Sequence, residues 1–264
     1  MDFGIAGRKA IVCASSRGLG YGCALALAQE GCEVVINGRD AARLEAAAES
    51  LARDPIVQAK GGTIVPVAAD VATPDGQKAL FAACPEPDIL VNNNGGPPMR
   101  DFRELSREQI IDGVVANMVV AIELIQKAID PMIEKKFGRI VNITSATVKA
   151  PLAGLDLSSG ARAGLTAFLA GVARSVAASN VTINFILPGT FDTDRLRANL
   201  EGNAKRQKIS FEESRDRRIA GVPAKRFGTA DEFGAACAFL CSQQASYITG
   251  QNLLIDGGVY PAAF

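Results

Sequence analysis

The sequence contains no histidine. The commonest general acid–base residue is therefore missing, and such chemistry falls to Tyr, Lys, Asp, Glu or Cys. Without imidazole a zinc site is not expected, although Cys237 and Cys241 share one helix face. Net charge is absent too: 28 Lys+Arg balance 28 Asp+Glu. Nothing in that balance calls for nucleic acid or an anionic membrane as partner. No apolar run approaches the roughly 20 residues of a membrane span. The opening "MDFGIAGRKAIVCAS" lacks the charged head and apolar core of a signal peptide. Six cysteines, at 13, 23, 32, 84, 237 and 241, form no CxxC pair, so reduced thiols and a cytoplasmic location are expected. Internal repeats, low-complexity segments and linkers are likewise missing.

What is present is the composition of a globular chain: 264 residues, 48% hydrophobic and 21% charged. Short apolar runs at 9–15, 33–37, 63–69, 88–92, 138–144, 181–187 and 252–256 read as strands. Helix-like segments at 18–30, 40–53, 74–83, 106–135, 158–178 and 229–241 separate them. Strands apolar throughout and alternating with helices predict a parallel sheet covered on both faces. The fold expected is one doubly wound α/β domain of Rossmann type over 1–264, with seven parallel strands. The stretch 190–222 has no partner strand and reads as a helical insertion or substrate lid. Within it, 192–218 carries eight Lys/Arg and six Asp/Glu, the composition of a solvated face.

"LSSGARAGLTAF" (157–168) is helical in pattern but holds two glycines, each costing about 1 kcal/mol relative to alanine. Ser158 stands four residues before Arg162 and so on the same face. That bare face needs an explanation.

The first strand runs into "CASSRGLG" (13–20) and then a helix. Glycines at a strand-to-helix turn let backbone approach a pyrophosphate, whose charge the helix N-terminus favours. The spacing departs from G-x-G-x-x-G, and alone the turn could be any tight βα connection. Asp70-Val71 after the third strand and Asn92-Asn93-Asn94-Gly95 after the fourth add weight. All lie at carboxyl ends of strands, where open α/β sheets bind ligands.

With these motifs the chain resembles the short-chain dehydrogenase/reductase family, in particular 3-oxoacyl-[acyl-carrier-protein] reductase-like proteins, over nearly its whole length. "SSRGLG" is similar to the family's glycine motif, with Cys13-Ala14 in place of Thr-Gly. "VNNNGG" (91–96) resembles its Asn-Asn-Ala-Gly motif, with Asn94 where Ala is usual. "LPGTFDT" (187–193) resembles the segment that meets the nicotinamide, which brings in Pro188, Gly189 and Thr193. "SYITGQNLLIDGG" (246–258) resembles the C-terminal strand and turn. The cofactor contacts implied are Ala14, Ser16, Arg17, Gly18, Leu19, Gly20, Arg39, Asp70, Val71, Asn92, Asn93, Asn94, Gly95, Pro188, Gly189 and Thr193. A homo-oligomer, a tetramer by resemblance, is implied as well, with the helices around 106–135 and 158–178 as its interface.

Charge favours NADP(H) over NAD(H). An NAD site places a carboxylate at the end of the second strand. Here Gly38 takes that place, Arg39 follows, and Arg17 can approach the same pocket. Guanidiniums pair well with a 2′-phosphate. The alternative is a solvated Arg39 beside Asp40 capping the next helix.

The family's chemistry uses an Asn, a Ser and a Tyr-x-x-x-Lys pair. Asn117 matches the first and Ser145 the second. The Tyr and Lys positions fall on Ser158 and Arg162. None of the tyrosines, at 21, 247 and 260, matches. If a serine hydroxyl titrates like water at about 15.7, against about 10 for a phenol, its alkoxide costs ~7–8 kcal/mol more. Ser158 cannot simply inherit the tyrosine's role. Arg162 can hold the nicotinamide ribose or stabilise an oxyanion but is a poor proton source. Lys149, four residues after Ser145, is the remaining candidate acid, its alternatives being an exposed loop lysine and a water held near Asn117 as donor. Asp156 reads as the N-cap of the following helix. Three readings follow: an NADP(H)-dependent reductase of a small-molecule or acyl-thioester carbonyl with an atypical proton donor, a cofactor-binding sensor or partner subunit, or a non-redox enzyme on this fold.

Overall fold

Lys9–Val12 (β1) is the hub of the sheet: Ala10, Ile11 and Val12 meet no solvent on either face. The computed structural model describes residues 2–97 and 99–262. Around β1 stand Glu33–Gly38 (β2), Thr63–Ala68 (β3), Ile89–Asn92 (β4), Gly138–Ile143 (β5), Val181–Pro188 (β6) and Asn252–Ile255 (β7). Their order is β3-β2-β1-β4-β5-β6-β7, and every pairing is parallel. This is the doubly wound sheet the alternation predicts. The order reverses between β1 and β4, so a crevice opens there at the carboxyl ends.

The helices are Gly18–Gln29 (α1), Ala41–Ala52 (α2), Pro55–Lys60 (α3), Pro74–Ala83 (α4), Arg107–Val114 (α5), Val120–Glu134 (α6), Asp156–Val176 (α7), Asp194–Gln207 (α8), Phe211–Ala220 (α9) and Ala230–Cys241 (α10). Leu27 of α1, Leu51 of α2 and Phe233 of α10 are buried against one face of the sheet. Leu80 of α4, Leu124 of α6 and Leu165 of α7 are buried against the other. No helix among the described residues is long and apolar enough to cross a membrane.

Four local expectations change. The helix expected over 106–135 is two, α5 and α6, joined by a π-helical turn at Val115–Val119 that carries Asn117. The short α3 went unread, although Asp54 accepts from the Ile56 and Val57 amides and Pro55 opens it. Asp156 is not an N-cap: Leu155 holds that place, and the Asp156 carboxylate accepts from the Gly154 amide at 3.0 Å. The helix expected over 158–178 starts at Asp156 and ends at Val176, followed by a 3₁₀ turn over Ala177–Ser179. Asp40 does cap α2, accepting from the Arg43 amide at 3.0 Å. The stretch 190–222 supplies α8 and α9, joined where Ser214 Oγ donates to the Leu200 carbonyl at 3.1 Å.

Candidate functional site

The turn between β1 and α1 is pinned from below. Ser15 N donates to the Asn37 carbonyl at 2.8 Å, Asn37 N donates to Ser15 Oγ at 2.9 Å, and Ser15 Oγ donates to the Val12 carbonyl at 2.7 Å. Ala14 is held at φ 47°, a left-handed conformation that suits the glycine it replaces. Its carbonyl accepts from Asn93 Nδ2 at 3.2 Å, which joins the turn to the end of β4. A Cβ on Gly20 would collide with that same carbonyl, so only glycine closes the turn. α1 starts at Gly18 with no side-chain cap and no acid in its first turn. Its first N–H groups therefore have no side-chain cap among the described residues, the arrangement that receives phosphate.

Ser16 lies against the end of β2, where a Cβ on Gly38 would come within 3.2 Å of its side chain, leaving little room for a carboxylate. Arg39 Nη1 lies 3.8 Å from Asp70 Oδ2 and its side chain is 80% exposed. Arg17 Nη1 meets Asp194 Oδ2 at 3.1 Å, tying α8 to the glycine turn. Thr193, the N-cap of α8, comes within 3.6 Å of a Cβ built on Gly18. Val71 is buried, and Leu19 packs half-buried against the core. Pro188 ends β6, and Gly189 N donates to the Ile255 carbonyl at 2.8 Å. Asn93, Asp194 and Thr193 thus meet at the glycine turn. Cys13 lies beneath it, and burial pushes its thiol up to about 12, which keeps it protonated at neutral pH.

Across the floor runs a row of amides. Asn92 Nδ2 donates to Asn142 Oδ1 at 2.9 Å, Asn142 Nδ2 donates to the Asn184 carbonyl at 3.3 Å, and Asn184 Nδ2 donates to the Ile248 carbonyl at 2.7 Å. Asn94 Nδ2 donates to the Ala116 carbonyl at 3.0 Å, and its Oδ1 accepts from Gly95 N at 2.8 Å. Asn117 Nδ2 donates back to the Gly113 carbonyl at 3.0 Å. Asn92 Oδ1 and Asn117 Oδ1 are buried with no hydrogen-bond partner among the described residues. Both residues line a cavity of about 20 Å³ bounded also by Asn94, Asn142 and Arg162, room for one ordered water.

Ser145 Oγ accepts from Thr147 N at 3.1 Å and from Thr147 Oγ1 at 2.9 Å. Both acceptor positions are filled, so its own proton is the part left to donate. Ser158 and Arg162 are both buried. Arg162 donates to Ser158 Oγ at 3.3 Å, the Ile143 carbonyl at 2.8 Å and the Asn94 carbonyl at 3.5 Å. Burial, reinforced by Arg195, pushes its pKa down to about 10, below the range expected of an arginine. Lys149 is an exposed residue, and its Nζ stands 5.4 Å from the centre of the Tyr260 ring. Of the small residues around Arg162, a Cβ built on Gly164 would meet Met118 Sδ at 3.1 Å, whereas one on Gly160 would meet nothing within 4 Å among the described residues beyond its own helix backbone.

A family model described as enoyl-(acyl carrier protein) reductase matches residues 13–260. The chain belongs to the short-chain dehydrogenase/reductase family of oxidoreductases. Among its relatives is the NADPH-dependent reductase BacG of Bacillus subtilis, 32% identical over 95% of this chain and 97% of that protein. The 3-oxoacyl-[acyl-carrier-protein] reductase FabG of Vibrio cholerae is 31% identical, over 96% of this chain and 98% of that one. The solved L-sorbose reductase of Gluconobacter frateurii, complexed with NADPH and L-sorbose, superimposes with a TM-score of 0.91. It is 28% identical, covering 99% of this chain and 100% of that one.

Positions 158 and 162, where the resemblance implies a tyrosine and a lysine, hold Ser158 and Arg162. The structure adds residues that motif reading passed over. Asn142 and Asn184 carry the amide row, and polar residues inside otherwise apolar strands were the available signal. Arg195 reaches the Gly96 and Pro97 carbonyls at 3.3 and 3.4 Å. Tyr260, at no motif position, stands beside Lys149.

Proposed function

We propose that this short-chain dehydrogenase/reductase is an NADP(H)-dependent carbonyl reductase. The observation that carries the reading is Ser145: its hydroxyl accepts twice from Thr147 and keeps its proton for a substrate oxygen, across the crevice from a glycine turn built for pyrophosphate. When bound, NADPH supplies a hydride. The first amides of α1 receive the pyrophosphate, with Gly20 keeping the turn close to it. Arg17 and Arg39 turn from Asp194 and Asp70 to a 2′-phosphate. Ser145 donates a hydrogen bond to the oxyanion that forms on the substrate. Arg162 adds positive charge from beneath. Lys149 gives the final proton from the rim.

The departure at Ser158 favours one other reading, a cofactor-binding subunit that does not turn over. One experiment separates the two: NADPH consumption across a panel of small ketones and acyl thioesters, beside NADPH and NADH binding. Tight NADPH binding without consumption of any carbonyl would replace the reductase reading with the second. We place the protein in the cytoplasm, where its six free, buried thiols stay reduced. We also infer a homotetramer through α5, α6 and α7. Phe168 on α7 is 51% exposed, Ile110 and Ile111 on α5 are exposed as well, and Gly160 leaves room for a second helix. Light scattering that finds only the 27.6 kDa monomer would reject this.

A further inference from the structure

Arg162 is buried, and every hydrogen-bond partner it has is a neutral oxygen: Ser158 Oγ and the Ile143 and Asn94 carbonyls. No carboxylate among the described residues pairs with it. Carbonyl dipoles soften a buried charge but do not cancel it, and the remainder draws in an anion. A second guanidinium adds to the field. Arg195 of α8 donates to the Gly96 and Pro97 carbonyls, so both arginines hold one turn, 94–97, at the end of β4. Arg195 too has no carboxylate partner among the described residues, whereas its neighbours are paired: Asp194 with Arg17 and Asp192 with Arg197.

Other charged groups are held by neutral partners as well. Asp156 is occupied by the Gly154 amide, and Asp256 by the amides of Gly258 and Tyr260. Lys149 stands on a ring and Arg218 donates to Thr190 Oγ1, neither with a carboxylate. Asp156 and Asp256 also lack a cationic partner among the described residues, but both reach solvent, whereas the charge of Arg162 is buried.

We propose that the carbonyl substrate carries a carboxylate, bound by Arg195 over the 94–97 turn with Arg162 charging the site from beneath. The substrate class is therefore an oxo acid. This rests on the reductase reading. In the reaction the carbonyl carbon gains a hydride, its oxygen gains a proton, NADPH is oxidised to NADP⁺, and the carboxylate is unchanged.

The test is equilibrium binding to the protein–NADPH complex, which needs no turnover. The probes are pyruvate, 2-oxobutyrate, acetoacetate and levulinate, each beside its methyl ester. At least one acid should bind tenfold or more tightly than its ester. That preference should shrink as salt rises from about 0.05 to 0.5 M. In Arg195→Gln the acid-to-ester ratio should fall towards one, with NADPH affinity within twofold of wild type. Esters binding as well as acids in the wild type would overturn the proposal, whether or not the variant folds. So would an Arg195→Gln protein that loses NADPH tenfold and keeps the ratio, since Arg195 would then serve the cofactor. An acid preference without NADPH oxidation would support the charged site and sink the reductase reading. Oxidation of NADPH by esters as readily as by acids would do the reverse.

Discussion

Replacing Arg39 by alanine tests how the site chooses between the two nicotinamide cofactors. The Arg39 side chain is 80% exposed, so its pull on a phosphate acts through nearly full solvent screening. Two unit charges about 4 Å apart in water interact by roughly 1 kcal/mol. A phosphate of charge about −1.5 to −2 raises that to ~1.5–2 kcal/mol. Reaching the phosphate means leaving Asp70, 3.8 Å away and itself partly exposed. Such surface pairs contribute ~0–1 kcal/mol. The net loss in Arg39→Ala is then about 0.5–2 kcal/mol, or roughly 2- to 30-fold weaker NADPH binding. NADH has no 2′-phosphate and should bind the variant as it binds wild type. Fluorescence titration with both cofactors gives the two dissociation constants directly. Raising salt to about 0.5 M should shrink the NADPH effect, because the Debye length falls well below its length near 10 Å at 0.1 M. Equal losses for NADPH and NADH would refute the reasoning and leave Arg39 a solvated residue beside Asp70.

Four further outcomes are expected. Lys149→Met should cut turnover by something like 10²–10⁴-fold with NADPH affinity intact, and Ser145→Ala should do comparable harm. Tyr260→Phe keeps the ring beside the ammonium and loses only the hydroxyl, so kcat should hold; a collapse there would move the proton from Lys149 to Tyr260. Ala14→Gly should relieve about 1–2 kcal/mol of left-handed strain against ~0.5–1 kcal/mol of extra chain entropy, raising Tm slightly. A clear fall in Tm in thermal unfolding would show that the Ala14 methyl matters more than its strain. Glu232, which closes the capping box of α10, is held down to about 2 by Arg226 and the Thr229 amide, against an ordinary 4.5. Its folded pKa lies below its unfolded one, so its contribution is full above 4.5 and is lost as pH falls towards about 2. The Tm gap between wild type and Glu232→Gln should follow that window, and a gap independent of pH would contradict it.

Elements and motifs were readable where the signal is local. The apolar runs of β1, β4 and β5 are buried on both faces, and that demand is written in consecutive residues. The glycine turn was equally open to reading, because Gly20 answers to a backbone a few residues away. Other features gave a weaker local trace. α3 had its start in Asp54-Pro55 and its stop in Gly61, six helical residues too short for periodicity to reveal. The π turn at Asn117 leaves the apolar pattern of α5 and α6 almost continuous, so a single long helix fits the sequence equally well.

Consecutive residues suffice to specify the layered parallel sheet, the crevice at its carboxyl ends and the serine and arginine at positions 158 and 162. What surrounds those two positions comes from the packing of distant segments. It brought Tyr260, from beyond the last strand, to Lys149, in the loop after β5. It also paired Arg17 and Arg197 with carboxylates while leaving Arg162 and Arg195 without one among the described residues. Periodicity and motif spacing report what a residue needs from its near neighbours in the chain. Which charges meet across the crevice depends on strand order and on where α8 comes to rest, and neither is encoded in any short stretch.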